Sequence, residues 1–330
     1  MRKILHKHKK VLIISGPTAV GKSKLAFDLA KKYNGELISA DSRQVYQGMD
    51  IVTGKDLPTD SRQKIGGLDL ARPDQEFDVS HFVTFAQKTI ANILEREKLP
   101  IIVGGTGFYL KNLLDPAQTI GVPINRKLRK KLDQLSVDKL QKRLQKSNKN
   151  KWQQMNNSDR NNPRRLIRAI EISNSKVQDY NSKLVTNSKL PNYDLLWIGL
   201  KTNKEKLEQN IKKRVKERIK QGAEDEVKKL LKQGYSWDLP SMSAIGYRDF
   251  RPYIEGKQNL EETIRLWTLH ELQYAKRQMT FFTYQKFFDK KQLGGQAKIK
   301  EIKWFDVTQK DWLDQIEQEM RKWLNNSCKQ

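Results

Sequence analysis

Three observations predict an α/β fold built on a parallel sheet. The short apolar run Val11-Leu-Ile-Ile14 leads into Gly16-Pro-Thr-Ala-Val-Gly-Lys-Ser23 and on into Ser23 to Tyr33, where Leu25, Ala26 and Leu29 share a helical face. Strand, glycine loop and helix in that order mark a phosphate-binding loop, which the G-x-x-x-x-G-K-[ST] pattern alone would not. Next, Leu99-Pro-Ile-Ile-Val103 is apolar throughout, as strands covered on both faces are. Finally, residues 121–190 hold 18 Lys and Arg against five Asp and Glu, a net +13 and half of the chain's +26, with no apolar strand among them. The predicted architecture is a P-loop NTPase-like parallel-sheet core, residues 1–119 and 191–330, with a mostly helical basic insertion at residues 120–190.

The remaining elements follow in order. Glu36 to Ala40 forms a second strand that runs into Asp41-Ser42. Ser80 is the expected cap of a helix whose apolar face is Phe82, Phe85, Ala86, Ile90 and Ile93. That helix precedes the strand at Leu99, which empties into Gly104-Gly-Thr-Gly107. In the basic segment, Leu128, Leu132 and Leu135, then Leu166, Ile167 and Ile170, recur at helical spacing. Strand character returns at Tyr193 to Leu200. Lys204 to Gln221 carries Leu207, Ile211, Val215 and Ile219 on one stripe and stops at Gly222. A second helix, Glu224 to Lys232, ends at Gly234. Residues 260–288 read as one long aromatic-rich helix, Glu301 to Val307 as a last strand, and Trp312 to Leu324 as a closing amphipathic helix.

Composition narrows the function. Hydrophobic residues at 37% and seven Trp suffice for a core in a chain of 330 residues. A net charge of +26 and pI of 9.9 favour a polyanionic partner such as nucleic acid. The single cysteine, Cys328, excludes an internal disulfide and a Cys-cluster zinc site. The apolar run behind the basic start is too short for a signal-peptide core or a membrane span, so a cytoplasmic protein without membrane attachment is expected.

A phosphate loop points backbone N–H groups and a helix N-terminus at an anion. Gly16 and Gly21 permit its turn, Lys22 adds a point charge, and Ser23 is placed to ligate Mg²⁺. Hydrolytic enzymes of this type close an apolar strand with an Asp that holds the metal. Here Ile101 to Val103 runs into glycines instead, which counts against an ATP-driven motor. The available carboxylate is Asp41, at the strand end where ligands gather in open α/β sheets. Two readings of it stay open: a base taking a proton from an incoming nucleophile, or a turn residue. Thr106 likewise offers a hydroxyl at the same rim or merely sits in a glycine turn. Arg164 and Arg168 share a helix face suited to phosphates or splayed bases. Tyr274-Ala-Lys-Arg-Gln-Met-Thr-Phe-Phe282 interleaves Lys276 and Arg277 with aromatics, as core plus surface or as an RNA contact.

With these residues in hand, the chain resembles the bacterial tRNA dimethylallyltransferases, the delta-2-isopentenylpyrophosphate tRNA transferases. The resemblance rests on GPTAVGKSKLA, ISADSRQVYQGMDIVTGK, LPIIVGGTGFYLK, NNPRRLIRAIEI, MSAIGYRDF and YAKRQMTFF, in the family's order and over most of the chain. It implies transfer of a dimethylallyl group from dimethylallyl diphosphate to N6 of the adenosine beside the tRNA anticodon, by a monomer that uses Mg²⁺. The family's ATP-binding label attaches to the same loop. By the resemblance Gly16, Pro17, Thr18, Ala19, Val20, Gly21, Lys22 and Ser23 hold the diphosphate, with Mg²⁺ on Ser23 and Arg214 as a further contact. Asp41 is the general base and Thr106 lies beside the adenine. Asp41, Ser42, Arg43 and Gln44, then Arg164, Arg165, Leu166, Ile167 and Arg168, then Ser243, Ala244, Ile245, Gly246, Tyr247 and Arg248 match stretches that touch tRNA. Arg129 matches another tRNA-contacting arginine.

Two departures stand out. Gly66-Gly-Leu-Asp-Leu70 occupies the place of the family's His-His-Leu segment, and Asn210 stands where the first of two arginines four apart is expected. The rival readings are a prenyltransferase acting on free AMP, a small-molecule kinase with Asp41 as base, and an RNA-binding protein with a relict loop. A net +13 insertion is more surface than a mononucleotide needs.

Overall fold

The computed structural model describes residues 9–56, 65–117, 119–120, 122–175, 193–284 and 301–325. The chain divides into two compact units, Met1–Asp115 with Leu190–Gln330, and Pro116–Lys189.

In the first unit, β1 (Lys10–Ser15) is followed by α1 (Lys22–Tyr33), β2 (Gly35–Ser39), β3 (Ile65–Gly66), α2 (Val79–Glu95), β4 (Leu99–Gly104) and α3 (Gly107–Leu114). After the second unit comes β5 (Asp194–Lys201), and the order of the six strands is β3-β2-β4-β1-β5-β6, all parallel. Every residue of β1 and β4 is buried, because helices cover both faces of a parallel sheet. Even Lys10 is enclosed; its Nζ donates to Asp194 and to the Trp323 carbonyl at 2.7 Å. Leu12, Ile14, Leu25, Leu29, Ile101 and Ile198 form the centre of the core on one face.

The second unit is helical throughout its described residues: α4 (Arg126–Leu132), α5 (Val137–Ser147), α6 (Lys149–Gln154), α7 (Asn157–Arg160) and α8 (Pro163–Asn174). Short polar caps recur here. Asn125, Ser136, Asn148, Asn156 and Asn162 each accept a backbone N–H at a helix start. Leu132, Leu140, Leu144, Leu166, Ile167 and Ile170 bury the unit's own core. The expected helical stretch beyond Ser175 lies outside the described residues.

Returning to the first unit, α9 (Lys204–Lys220), α10 (Ala223–Lys232), α11 (Tyr247–Ile254), α12 (Leu260–Tyr284), β6 (Lys303–Asp306) and α13 (Trp312–Asn325) complete it. The part of the expected long helix after Tyr284 lies outside the described residues. One expectation is corrected. Helix α2 is capped by Asp78, not Ser80: the Asp78 carboxylate accepts from Ser80 N and His81 N, and the His81 ring closes a capping box. Directly after β3, Gly67 holds φ +93° and a Cβ there would stand 2.7 Å from the Ser39 carbonyl oxygen, so the position requires glycine.

Candidate active site

β1 and β4 are neighbours, and Ser15 is level with Gly104, so the loops that follow them leave the sheet side by side. This is the carboxyl edge, where parallel sheets bind ligands. Gly16 sits at φ +142°, and a Cβ would lie 2.4 Å from the Leu200 carbonyl oxygen; no other residue fits. Ala19 adopts φ +60°, the left-handed conformation that lets the loop curl toward α1. Asn210 steadies that turn by donating from Nδ2 to the Ala19 carbonyl at 3.0 Å.

A cavity of about 330 Å³ opens beside the loop, and Thr18, Lys22, Ser23, Asp41 and Arg214 all line it. A wider opening shares Lys22, Ser23, Arg214 and Arg218 with that cavity and adds Ala19 and Gly21. Gly16, Pro17 and Val20 shape the loop from behind; Val20 is part of the sheet core. In the cavity wall, Lys22 Nζ donates to the Pro17 carbonyl at 2.6 Å, and Arg214 donates to the Thr18 hydroxyl at 3.1 Å and to the Gly54 carbonyl at 3.3 Å. Burial, then repulsion by Arg214, lower Lys22 to about 8.

In the same wall, Asp41 accepts from Arg43 N at 2.8 Å and Gln44 N at 3.4 Å through a single oxygen. It is both a turn residue and a wall of the cavity, so the two sequence readings are compatible. Thr106 is beside it: its Oγ1 accepts from Ser42 N at 3.1 Å, and its own N–H donates to the Ala40 carbonyl at 3.3 Å. Tyr274 lines the cavity as well. Burial, and then the Asp41 charge, push its hydroxyl above the ordinary range. Ser42, Arg43, Gln44, Ser243, Ala244, Ile245, Arg248 and Arg277 also line the cavity. Lys276 is exposed and is not among its walls.

Some predicted contacts take other roles. Tyr247 is fully buried and Gly246 holds φ +91° at the start of α11, so these two shape the segment between the cavity-lining Ile245 and Arg248. In the second unit the side chains of Leu166 and Ile167 pack into its core, while the neighbouring Arg164, Arg165 and Arg168 reach the surface. Arg129 grips the buried Glu171 with Nε at 3.1 Å and Nη2 at 2.9 Å, and Arg168 adds a third bond at 2.7 Å. Burial opposes ionisation of Glu171, and these arginines overcome it and hold its pKa low. Arg129 and Arg168 each keep about a third of the side chain exposed, Arg165 pairs with Asp159, and Arg164 has no partner among the described residues.

Sequence reasoning missed two residues that hold the site in place. Gln278 accepts from Thr18 N at 2.8 Å and donates to the Gly105 carbonyl at 3.0 Å, clamping the two loops together. Glu226 accepts the N–H groups of Asp50, Ile51 and Val52 and the Tyr247 hydroxyl, at 2.5–3.0 Å. It thereby fixes the turn that presents Gly54 to Arg214. Neither residue has a local sequence signal, since both act across many residues of chain.

Fold and cavity define an α/β protein in which the glycine loop after β1 lines a cavity at the carboxyl edge of a parallel sheet, with the Asp41 carboxylate in the same wall. The family is narrower than that class. The IPP transferase family model matches residues 44–285, and the chain belongs to this family. A tRNA dimethylallyltransferase of Clostridioides difficile is 36% identical over 97% of this chain and 98% of its own. One from Carboxydothermus hydrogenoformans is 38% identical over 90% and 92%. Among solved structures, the full-length tRNA isopentenylpyrophosphate transferase of Bacillus halodurans superposes with a TM-score of 0.68 at 33% identity, covering 97% of this chain and 98% of its own. A eukaryotic dimethylallyltransferase acting on tRNA gives 0.74 at 27% identity, with 97% and 86% covered.

Proposed function

We propose that the protein transfers a dimethylallyl group from dimethylallyl diphosphate to N6 of the adenosine next to a tRNA anticodon, releasing diphosphate. The observation that carries this reading is a single cavity lined by Lys22, Ser23 and Arg214 together with Asp41, whose turn is held from behind by the Thr106 hydroxyl on Ser42 N. Relatives of the family are named tRNA dimethylallyltransferases, which supports the group transferred and the class of acceptor.

In the proposed reaction N6 attacks C1 of the prenyl group, the C1–O bond breaks, and the electron pair leaves with the diphosphate. The amine proton passes to the Asp41 carboxylate, whose second oxygen is not used in its turn. Loop N–H groups, Lys22 and Arg214 receive the departing charge, a contribution greatest where water is excluded. The base must leave the anticodon stack to reach Asp41, as in other enzymes that act on a base. Arg43, Arg248 and Arg277 line the same cavity and suit phosphates on either side of that base. The basic second unit adds electrostatic affinity for RNA, and a tRNA substrate implies a cytoplasmic location.

Among the described residues no cluster of three or more His, Cys, Asp or Glu could hold a metal ion by itself. The Ser23 hydroxyl and the oxygens of a diphosphate make up the hard oxygen set that Mg²⁺ takes. The ion would be held there with Asp41 facing the same cavity, and it would supply charge neutralisation of the leaving group. No described helix is long and apolar enough to cross a membrane.

The test is diphosphate release from dimethylallyl diphosphate, measured with tRNA, with free AMP and with neither. Release that depends on tRNA supports the reading. Equal release with AMP would reassign the acceptor, and transfer of phosphate from ATP would make it a kinase.

A further inference from the structure

Helix α9 presents Asn210, Arg214 and Arg218 at successive turns of one face. Asn210 is committed to the Ala19 carbonyl, and Arg214 to Thr18 and Gly54. Arg218 is only 5% exposed, yet it lines both the inner cavity and the wider opening along with Lys22 and Ser23. Its Nη1 donates to Glu271 at 3.1 Å; among the described residues that is its single hydrogen bond, which leaves Nη2 and Nε free to donate. A Cβ added at Gly54 would stand 2.1 Å from Arg218 Nη2 and 2.7 Å from Arg214 Nη2. The two guanidinium groups therefore converge on one point of the loop beside the phosphate-binding turn.

The two guanidinium groups repel each other; Glu271 pairs with Arg218, and the half-exposed Asp56 stands 3.7 Å from Arg214. Burial first and the charge of Arg214 second lower Arg218 to about 10, ahead of the opposing pull of Glu271. Trp267 beneath it, 5.8 Å from ring centre to guanidinium carbon, holds the side chain in place without taking its donors. Such an arrangement is built for an anion with several oxygens, which an arginine fork matches and a lone ammonium does not.

We propose that Arg218 is a second guanidinium of the diphosphate subsite, one turn beyond Arg214, and binds phosphate oxygens through Nη2 and Nε. This rests on the donor reading above. It also gives α9 two cavity-facing arginines four residues apart, although Asn210 carries no charge.

Arg218→Lys preserves the ion pair with Glu271 and removes the fork. The variant is expected to melt like the parent, to raise KM for dimethylallyl diphosphate by roughly 10-fold with kcat less affected, and to bind tRNA unchanged. Arg218→Met with Glu271→Gln removes the pair as a unit, and its affinity for inorganic diphosphate, measured by calorimetry, should fall by roughly 10²-fold. Parental donor KM in Arg218→Lys together with parental diphosphate affinity in the double variant would overturn the proposal and leave Arg218 as the partner of Glu271 alone. The calorimetry does not depend on turnover. A parent that binds diphosphate but transfers no prenyl group would instead sink the reading of the reaction.

Discussion

Arg214 donates from Nη1 to the hydroxyl of Thr18 at 3.1 Å, tying α9 to the loop that follows β1 across 196 positions of chain. The same guanidinium reaches the Gly54 carbonyl at 3.3 Å, so three segments meet where a diphosphate would lie. Arg214→Ala should raise KM for the prenyl donor by roughly 10–100-fold, since a hydrogen bond to a charged group is worth about 1.5–3 kcal/mol. Affinity for tRNA should hold. A donor KM that does not move would detach Arg214 from the subsite.

Asp41→Asn keeps the shape and the acceptor of the turn to Arg43 N, and it removes the base. Turnover should drop by roughly 10²–10⁴-fold while donor and tRNA affinities persist. Rapid-quench measurement of a single turnover checks this directly. Near-parental rates would assign the proton to another group.

Lys22 makes binding depend on pH. Its pKa is lowered from 10.5 to about 8 in the free pocket, by burial and then by Arg214. Between those values the unfolded chain holds a proton that the native chain lacks, so this group makes stability rise with pH across that window. A bound diphosphate favours the charged lysine and reverses the balance. Donor affinity should therefore fall as pH rises through about 8, with uptake of up to one proton on binding at about pH 9 and almost none near pH 7. Calorimetry of dimethylallyl diphosphate in buffers of different ionisation enthalpy reads that proton, and Lys22→Met should abolish the uptake. Equal uptake in the variant would place the titration elsewhere.

Glu226 holds three successive backbone N–H groups and the Tyr247 hydroxyl. In Glu226→Gln one oxygen becomes an N–H₂ donor facing donors, a loss of about 2–3 kcal/mol in urea unfolding. Tyr247→Phe deletes one bond and should cost about 1 kcal/mol. Because Glu226 sets the turn that carries Gly54, the folded Gln variant should also bind the donor less tightly. Parental stability in Glu226→Gln would show that the turn holds without it.

How much of this was legible in the sequence depends on distance along the chain. The β1–loop–α1 unit was clear because apolar run, glycines and helical stripe are contiguous. The second unit announced itself by charge and leucine spacing. The α2 cap was ambiguous because Asp78 and Ser80 are both good caps, and the choice falls to the ring of His81, which closes the box only with Asp78. Arg218 was hidden among the lysines and arginines of α9; only its four-residue spacing from Arg214 hinted at a shared face. Glu171 carried a partial signal, since one of only five acids in so basic a segment is a natural anchor for Arg129 and Arg168. Gln278 and Glu226 act on segments far off in sequence, and no local pattern reports such contacts.

The account is tested most directly by incubating the protein with tRNA, dimethylallyl diphosphate and Mg²⁺, digesting the RNA and weighing its nucleosides by mass spectrometry. The expected product is an adenosine heavier by one dimethylallyl group, formed by the parent and strongly reduced in Asp41→Asn. Unmodified adenosine throughout, with phosphate from ATP appearing on another acceptor, would contradict it.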